Sequence, residues 1–147
     1  AAEEYTPAGA DNLPFGRLAP VAGTALDFCT ENSLGARIGD ALLAPLHGYD
    51  HNFVLSGRGI RRAAKLSCPR SGVSMAVDTT MEGMQLYTAN FLSARAGKGG
   101  VQYKPYSGVC LETQRFPDAM HHAAFPSPLL RAGMRYDERT EYRFTLV

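Results

Sequence analysis

Val73-Ser74-Met75-Ala76-Val77-Asp78 alternates without a break: Val73, Met75 and Val77 fall on one side of an extended chain and Ser74, Ala76 and Asp78 on the other. The closing run repeats the pattern, with Tyr142, Phe144 and Leu146 opposite Glu141, Arg143 and Thr145. Each reads as a half-buried antiparallel strand. Outward from these, Arg62–Ser67, Met84–Asn90 and Gly108–Phe116 are further strand candidates. Turn-forming pieces such as Cys68-Pro69-Arg70-Ser71-Gly72 and Ala96-Gly97-Lys98-Gly99-Gly100 separate them. The 15 glycines and 9 prolines recur too often for a sustained helical face. Ser33–Leu43, with Leu34, Ile38 and Leu42 at four-residue spacing behind a capping Ser33, predicts a helical turn or two, weakened by Gly35 and Gly39. Thr6–Val21 carries Pro7, Pro14 and Pro20 and is expected as an extended surface connection. The expected fold is all-β, an antiparallel sandwich or barrel-like sheet.

Composition narrows the function classes. Of 147 residues, 45% are hydrophobic and 20% charged, which is enough apolar content for a packed domain and excludes a disordered tail. Fifteen Lys and Arg against 14 Asp and Glu leave a formal charge of +1 with no basic run, so nucleic acid and acidic membrane surfaces are not expected partners. No apolar stretch nears the roughly 20 residues of a membrane span, and Ala1-Ala2-Glu3-Glu4 is neither a basic nor an apolar leader. An alanine in first place is expected of a processed product or a segment of a longer translation product. Cys29, Cys68 and Cys110 are odd in number and far apart, poor material for a disulfide frame or zinc site. Free, mostly buried thiols in a reducing compartment, and hence a cytoplasmic location, are expected.

Three polar clusters are the candidates for chemistry. His47-Gly48-Tyr49-Asp50-His51-Asn52-Phe53 packs a carboxylate, two imidazoles, a phenol and an amide into seven residues. An ionised Asp50 accepts hydrogen bonds from neighbouring hydroxyls, and an aromatic ring covers the apolar face of a sugar. The plainer alternative has Asp50 and Asn52 closing an Asx turn while His51 packs against the sheet. Gln85, Tyr87 and Ala89 share a strand face within Glu82–Phe91 and offer an amide and a phenol. In Gly108–Asp118, Cys110, Glu112 and Gln114 share a face, which sets an acid mid-strand among uncharged neighbours. A partly covered face would raise its proton affinity toward that of a general base; the alternative is an exposed face with Glu112 paired to an arginine such as Arg115. His121-His122 points to opposite sides of a strand and reads as a surface turn rather than a metal pair.

At these clusters the sequence resembles the C-terminal part of the aldose 1-epimerase, or galactose mutarotase, family. The resemblance runs in order through Val21–Phe28, Gly48–Phe53, Gln85–Phe91, Cys110–Asp118 interrupted at Arg115, and Tyr142-Arg143-Phe144. It implies that residues 1–147 are the C-terminal portion of one large antiparallel β-sandwich, with the N-terminal part absent from this chain. It implies an aldohexose ligand such as galactose or glucose and no metal or organic cofactor. By motif, Glu112 is the general base, with Asp50 holding sugar hydroxyls and Gln85 lining the pocket. The family's acid histidine lies in a His-x-Tyr-Phe-Asn type of motif that this chain lacks, so the chain alone is expected to be a poor or inactive mutarotase. A complementary N-terminal chain or another protein subunit is the implied partner. The competing expectation is an inactive sugar-binding or structural subunit of a larger assembly. A glycosidase using Asp50 and Glu112 is a more distant third.

Overall fold

In the computed structural model, residues 2–146 are described; Ala1 and Val147, the two ends of the domain read from the sequence, lie outside them. The chain forms strands β1 (Glu4–Thr6), β2 (Ala19–Pro20), β3 (Asp50–Val54), β4 (Arg61–Cys68), β5 (Val73–Thr79), β6 (Gly83–Tyr87), β7 (Arg95–Ala96), β8 (Gln102–Tyr103), β9 (Cys110–Gln114) and β10 (Thr140–Leu146). All pairings are antiparallel. Five strands make one sheet in the order β2-β1-β3-β6-β9, three make a second in the order β10-β5-β4, and β7 and β8 pair alone. The all-β sandwich expected from the alternating runs is present.

The two larger sheets face each other across a shared apolar core. Tyr5, Phe53, Met84, Leu86 and Leu111 point inward from the first, and Ala63 and Val77 from the second. Leu26, Leu43 and Tyr49, none of them more than 0% exposed, close one end from the loops. The β4–β5 hairpin turns at Cys68–Gly72, where the Gly72 N–H donates to the Cys68 carbonyl (2.9 Å) with Gly72 at φ 69°. On its outer face Asp78 accepts from Arg62 Nε (2.6 Å) and from Arg143 Nη2 (2.7 Å), which ties all three strands of that sheet together.

The apolar face of β10 departs from expectation. Tyr142, Phe144 and Leu146 lie opposite Val77, Met75 and Val73 and so share the core side, yet they are 46%, 66% and 84% exposed. The alternation is right and the half-burial is not, because β10 is the edge strand and β9 reaches only its Thr140 and Tyr142 end, leaving Phe144 and Leu146 open. The sheets also splay apart around a cleft of about 1020 Å³ lined by Phe53, Leu55, Met84, Leu86 and Leu111 on one side and by Ala63, Ala64 and Leu66 on the other.

Other readings are corrected as well. Cys29, Cys68 and Cys110 are free but exposed, Cys29 in a loop and Cys68 and Cys110 at strand ends. The helix is one turn, Leu34–Arg37; Ser33 makes no side-chain cap bond, and the following residues tighten into turns. Thr6–Val21 runs over the surface in its middle, where Leu13 and Phe15 are exposed, but not at its ends. Its ends enter the first sheet as β1 and β2, Thr6 is 3% exposed and Val21 1%, and an Ala8–Pro14 bridge folds the middle back. Strand β6 stops at Tyr87 rather than Asn90, because Ala89 takes a left-handed φ of 56°. No described helix is long and apolar enough to cross a membrane.

The uneven cover predicts uneven sensitivity. Leu86→Ala, at 6% exposure, should cost about 2–5 kcal/mol, whereas Phe144→Ala on the uncovered strand should cost no more than about 0.5 kcal/mol. Urea unfolding of the two variants measures the difference; equal losses would mean that β10 is covered in solution.

Candidate functional site

The three central strands of the first sheet split their side chains between two faces. On β3, His51 and Phe53 turn to the core while Asp50 and Asn52 turn away from it; β6 and β9 follow suit, with Leu86 and Leu111 inward and Gln85, Tyr87, Cys110, Glu112 and Gln114 outward. Thr6, Asn52, Gln85 and Glu112 thus stand in one cross-strand row, with Asp50, Tyr87 and Cys110 in the row beside it. These rows floor a cavity of about 330 Å³, rimmed by Asn12, Pro14, Phe91 and Pro117. The three residues singled out from the sequence, Asp50, Gln85 and Glu112, all line it.

The turn into β3 sets Asp50 in place. His47 is left-handed (φ 55°), and Gly48 at φ 141° passes so near the end of β6 that an added Cβ would lie 2.6 Å from Asn90 Oδ1. Asn90 Nδ2 donates to the carbonyls of Leu46 (2.9 Å) and Tyr49 (2.8 Å), and the Tyr49 N–H donates to Thr88 Oγ1 (3.1 Å). Burial lifts the Tyr49 phenol above its ordinary pKa, and its O–H donates to the Ala25 carbonyl (3.4 Å). The Asp50 carboxylate then accepts from Gln85 Nε2 at Oδ1 (2.6 Å) and from Asn12 Nδ2 at Oδ2 (3.0 Å). Gln114 Nε2 donates to Gln85 Oε1 (3.2 Å) and to Asn52 Oδ1 (3.1 Å).

Glu112 stands opposite Gln85 on β9, the edge of this sheet, and is exposed. The partial cover expected over it is therefore missing from the described residues. The Arg115 pairing is not made either: Arg115 points to the other face and bridges Glu82 (2.6 Å) and Glu138 (2.7 Å). Glu112 does act on its neighbour, since partial burial and then the Glu112 charge hold the Cys110 thiol above its ordinary pKa. Asp50 and Asn52 lie on a strand, so the Asx turn is not formed. His51 does pack in the core, edge to face with Tyr5 at 6.1 Å. Tyr49 and Phe53 are buried there too, so the aromatic rings that reach the cavity are Tyr87 and Phe91, the latter 58% exposed and edge-on to His47 at 5.7 Å. His121 and His122 both lean on Asp118, the latter at 3.4 Å, in a surface turn.

Sequence reasoning passed over Asn12 and gave Asn52 and Gln114 no role of their own, though it set Asn52 in the first cluster and Gln114 on the Glu112 face. Asn12 lies 38 residues before Asp50 on a loop with no periodic signal, so nothing local could have joined the two. For Asn52 and Gln114, what alternation could not supply is the link between them, since the Gln114 to Asn52 bond joins residues 62 apart.

Over residues 1–143 the chain matches the model of the family described as aldose 1-epimerase. It belongs to the aldose 1-epimerase family. It is 41% identical over 147 residues to the galactose mutarotase of Homo sapiens and 33% identical over 148 residues to the aldose 1-epimerase of Escherichia coli. These alignments take in 99% and 97% of this chain but 42% and 43% of those proteins, so the chain spans less than half the length of such relatives. The crystal structure of an aldose epimerase homologue from C. elegans superposes with a TM-score of 0.87 at 25% identity, over 99% of this chain and 44% of that one.

His51 makes the stability of this chain depend on pH. Burial lowers its pKa from 6.5 to about 4, against a smaller opposing pull from Asp50. The unfolded chain takes up this proton near pH 6.5 and the folded chain does not. Stability is therefore complete above pH 6.5 and falls as pH drops toward 4, by on the order of 3 kcal/mol. Urea midpoints between pH 7 and 4 should show the slope, and His51→Leu should remove that part of it.

Proposed function

We propose that this chain supplies the base and part of the sugar pocket of an aldose 1-epimerase acting on a free aldohexose such as galactose or glucose. The observation that carries this reading is the convergence of Asp50, Gln85 and Glu112 on one cavity, in a chain of this family. Glu112 takes the proton from the anomeric O1–H. As electrons move from O1 to form the C1 carbonyl, the C1–O5 bond breaks and O5 takes a proton from an acid on the opposite side. Rotation about C1–C2 and reversal of both transfers close the other anomer. Asp50, held by two amide donors, fixes the sugar hydroxyls remote from C1, and Phe91 is the exposed ring available to its apolar face.

The acid lies outside these residues. None of the four imidazoles hydrogen-bonds the side chain of Asp50, Gln85 or Glu112, and His51 faces the core. We assign the acid to a part of the same sandwich other than residues 1–147, since relatives of this family are more than twice as long as this stretch. The open cleft and the exposed Phe144 and Leu146 support this, because they are apolar surfaces that the rest of a sandwich would cover.

Polarimetry on freshly dissolved α-D-galactose or α-D-glucose tests the reading. This chain alone should leave the rotation near its uncatalysed rate, and the protein assembled with the complementary portion should accelerate it. Glu112→Gln in that assembly should lower the rate about 10²–10⁴-fold. An unchanged rate would remove Glu112 as the base, and an assembly that binds sugar without accelerating the exchange would be a binding subunit.

A further inference from the structure

The amides around Asp50 form a chain whose direction is dictated by charge. An ionised carboxylate only accepts hydrogen bonds, so Gln85 must present Nε2 to Asp50 and keep Oε1 for its other neighbour. That neighbour, Gln114, spends one N–H on Gln85 Oε1 and the second on Asn52 Oδ1. Asn52 is then left with Nδ2 as a buried donor without a partner, in a residue only 2% exposed. Gly83 leaves the space that this crowding needs: a Cβ there would stand 2.6 Å from Asn52 Oδ1 and 3.1 Å from the Gln114 carbonyl oxygen.

The direction matters for what the cavity floor offers. With its carbonyl taken by Gln114 and one N–H on Asp50, Gln85 has its second N–H left for a ligand. A sugar hydroxyl both donates and accepts, so one hydroxyl can give its proton to Asp50 while taking the Gln85 N–H. With the amide reversed, Gln85 would set a lone pair against the Asp50 carboxylate and offer the hydroxyl no donor.

We propose that Gln114 is a positioning residue of the sugar site: through the Gln85 amide it fixes the donor chain that ends on Asp50, and so sets the pattern of donors and acceptors presented to the ligand. This rests on the reading of the cavity as a sugar site.

The test is a double-mutant cycle read by D-galactose titration of the protein. Gln114→Glu replaces the donor with a second carboxylate, and Gln114→Met removes it without adding charge. Each should weaken D-galactose binding about tenfold or more when measured where the variant is still fully folded, well short of its unfolding midpoint. In a Gln85→Met background the same changes should alter binding less than about twofold, because the link to Asp50 is already cut. In the ligand-free protein, the side-chain amide proton resonances of Gln85 should shift in both single variants. Equal weakening in the two backgrounds, or Gln85 resonances unmoved by either change, overturns the inference and leaves the sugar reading standing. Failure of the unaltered protein to bind D-galactose overturns both.

Discussion

A slip of one residue between β3 and β6 would carry Asp50 and Asn52 into the core and push His51 and Phe53 into the cavity, because side chains on a strand alternate with a period of two. Much else in this chain depends on preventing that slip. The lock is local and polar. Asn90 grips the carbonyls of Leu46 and Tyr49, Thr88 receives the Tyr49 N–H, and Gly48 allows the two segments to approach within reach. Tyr49, with its ring in the core and its backbone in the clamp, joins the apolar and polar constraints. Gly48–Phe53 and Gln85–Phe91 are therefore as much a statement of register as of chemistry. Asp50 and Gln85 meet the cavity, while Gly48, Tyr49, Thr88 and Asn90 ensure that they do.

The same sheet shows how little of a sandwich is needed to build one wall of a site. The rows on β3, β6 and β9 are set by strand pairing and by packing beneath them, and both are provided by the residues described. Cover is a different matter. Glu112 on the edge strand, the splayed cleft and the bare side of β10 are all places where this chain offers an apolar or functional surface with no described residue over it. Strand order links the three. The β9 edge and β10 lie near each other, joined by the Thr113 and Thr140 hydroxyls at 2.7 Å and by the Tyr142 O–H on the Leu111 carbonyl at 3.0 Å.

What could be read from the sequence was what pairing and alternation alone decide. Val73–Asp78, Arg62–Ser67 and the grouping of Cys110, Glu112 and Gln114 on one face follow from a period of two, and the structure has them. Burial could not be read in this way. Tyr142, Phe144 and Leu146 alternate as cleanly as Val73, Met75 and Val77, and only the presence of a neighbouring layer separates an exposed Leu146 from a buried Val77. The thiols were misjudged because a cysteine's burial depends on where its strand or loop ends, which the residue type alone does not tell. Thr6–Val21 hid two strand ends because its prolines signal extended backbone without saying whether it joins a sheet. Asn12 was out of reach altogether: its contact with Asp50 spans 38 residues and depends on a left-handed turn at φ 61°.

The two carboxylates of the proposed site differ in a way that suits a division of labour. Asp50 is clamped at both oxygens by amide donors, which fix its plane and still leave a lone pair on each oxygen for a hydroxyl. Such a group is built to hold a ligand in one orientation. Glu112 has a thiol for its hydrogen-bonding neighbour, a weak donor whose own proton is held more firmly because Glu112 is there. Its carboxylate is therefore free to turn toward a hydroxyl and away again, as a base must when it takes a proton in one half of a cycle and returns it in the other. The orientation that Gln85 and Gln114 favour at Asp50 would complement that freedom: with the sugar held at its remote hydroxyls, O1 changes position between the two anomers while the rest of the ring stays, and an unclamped Glu112 can follow it.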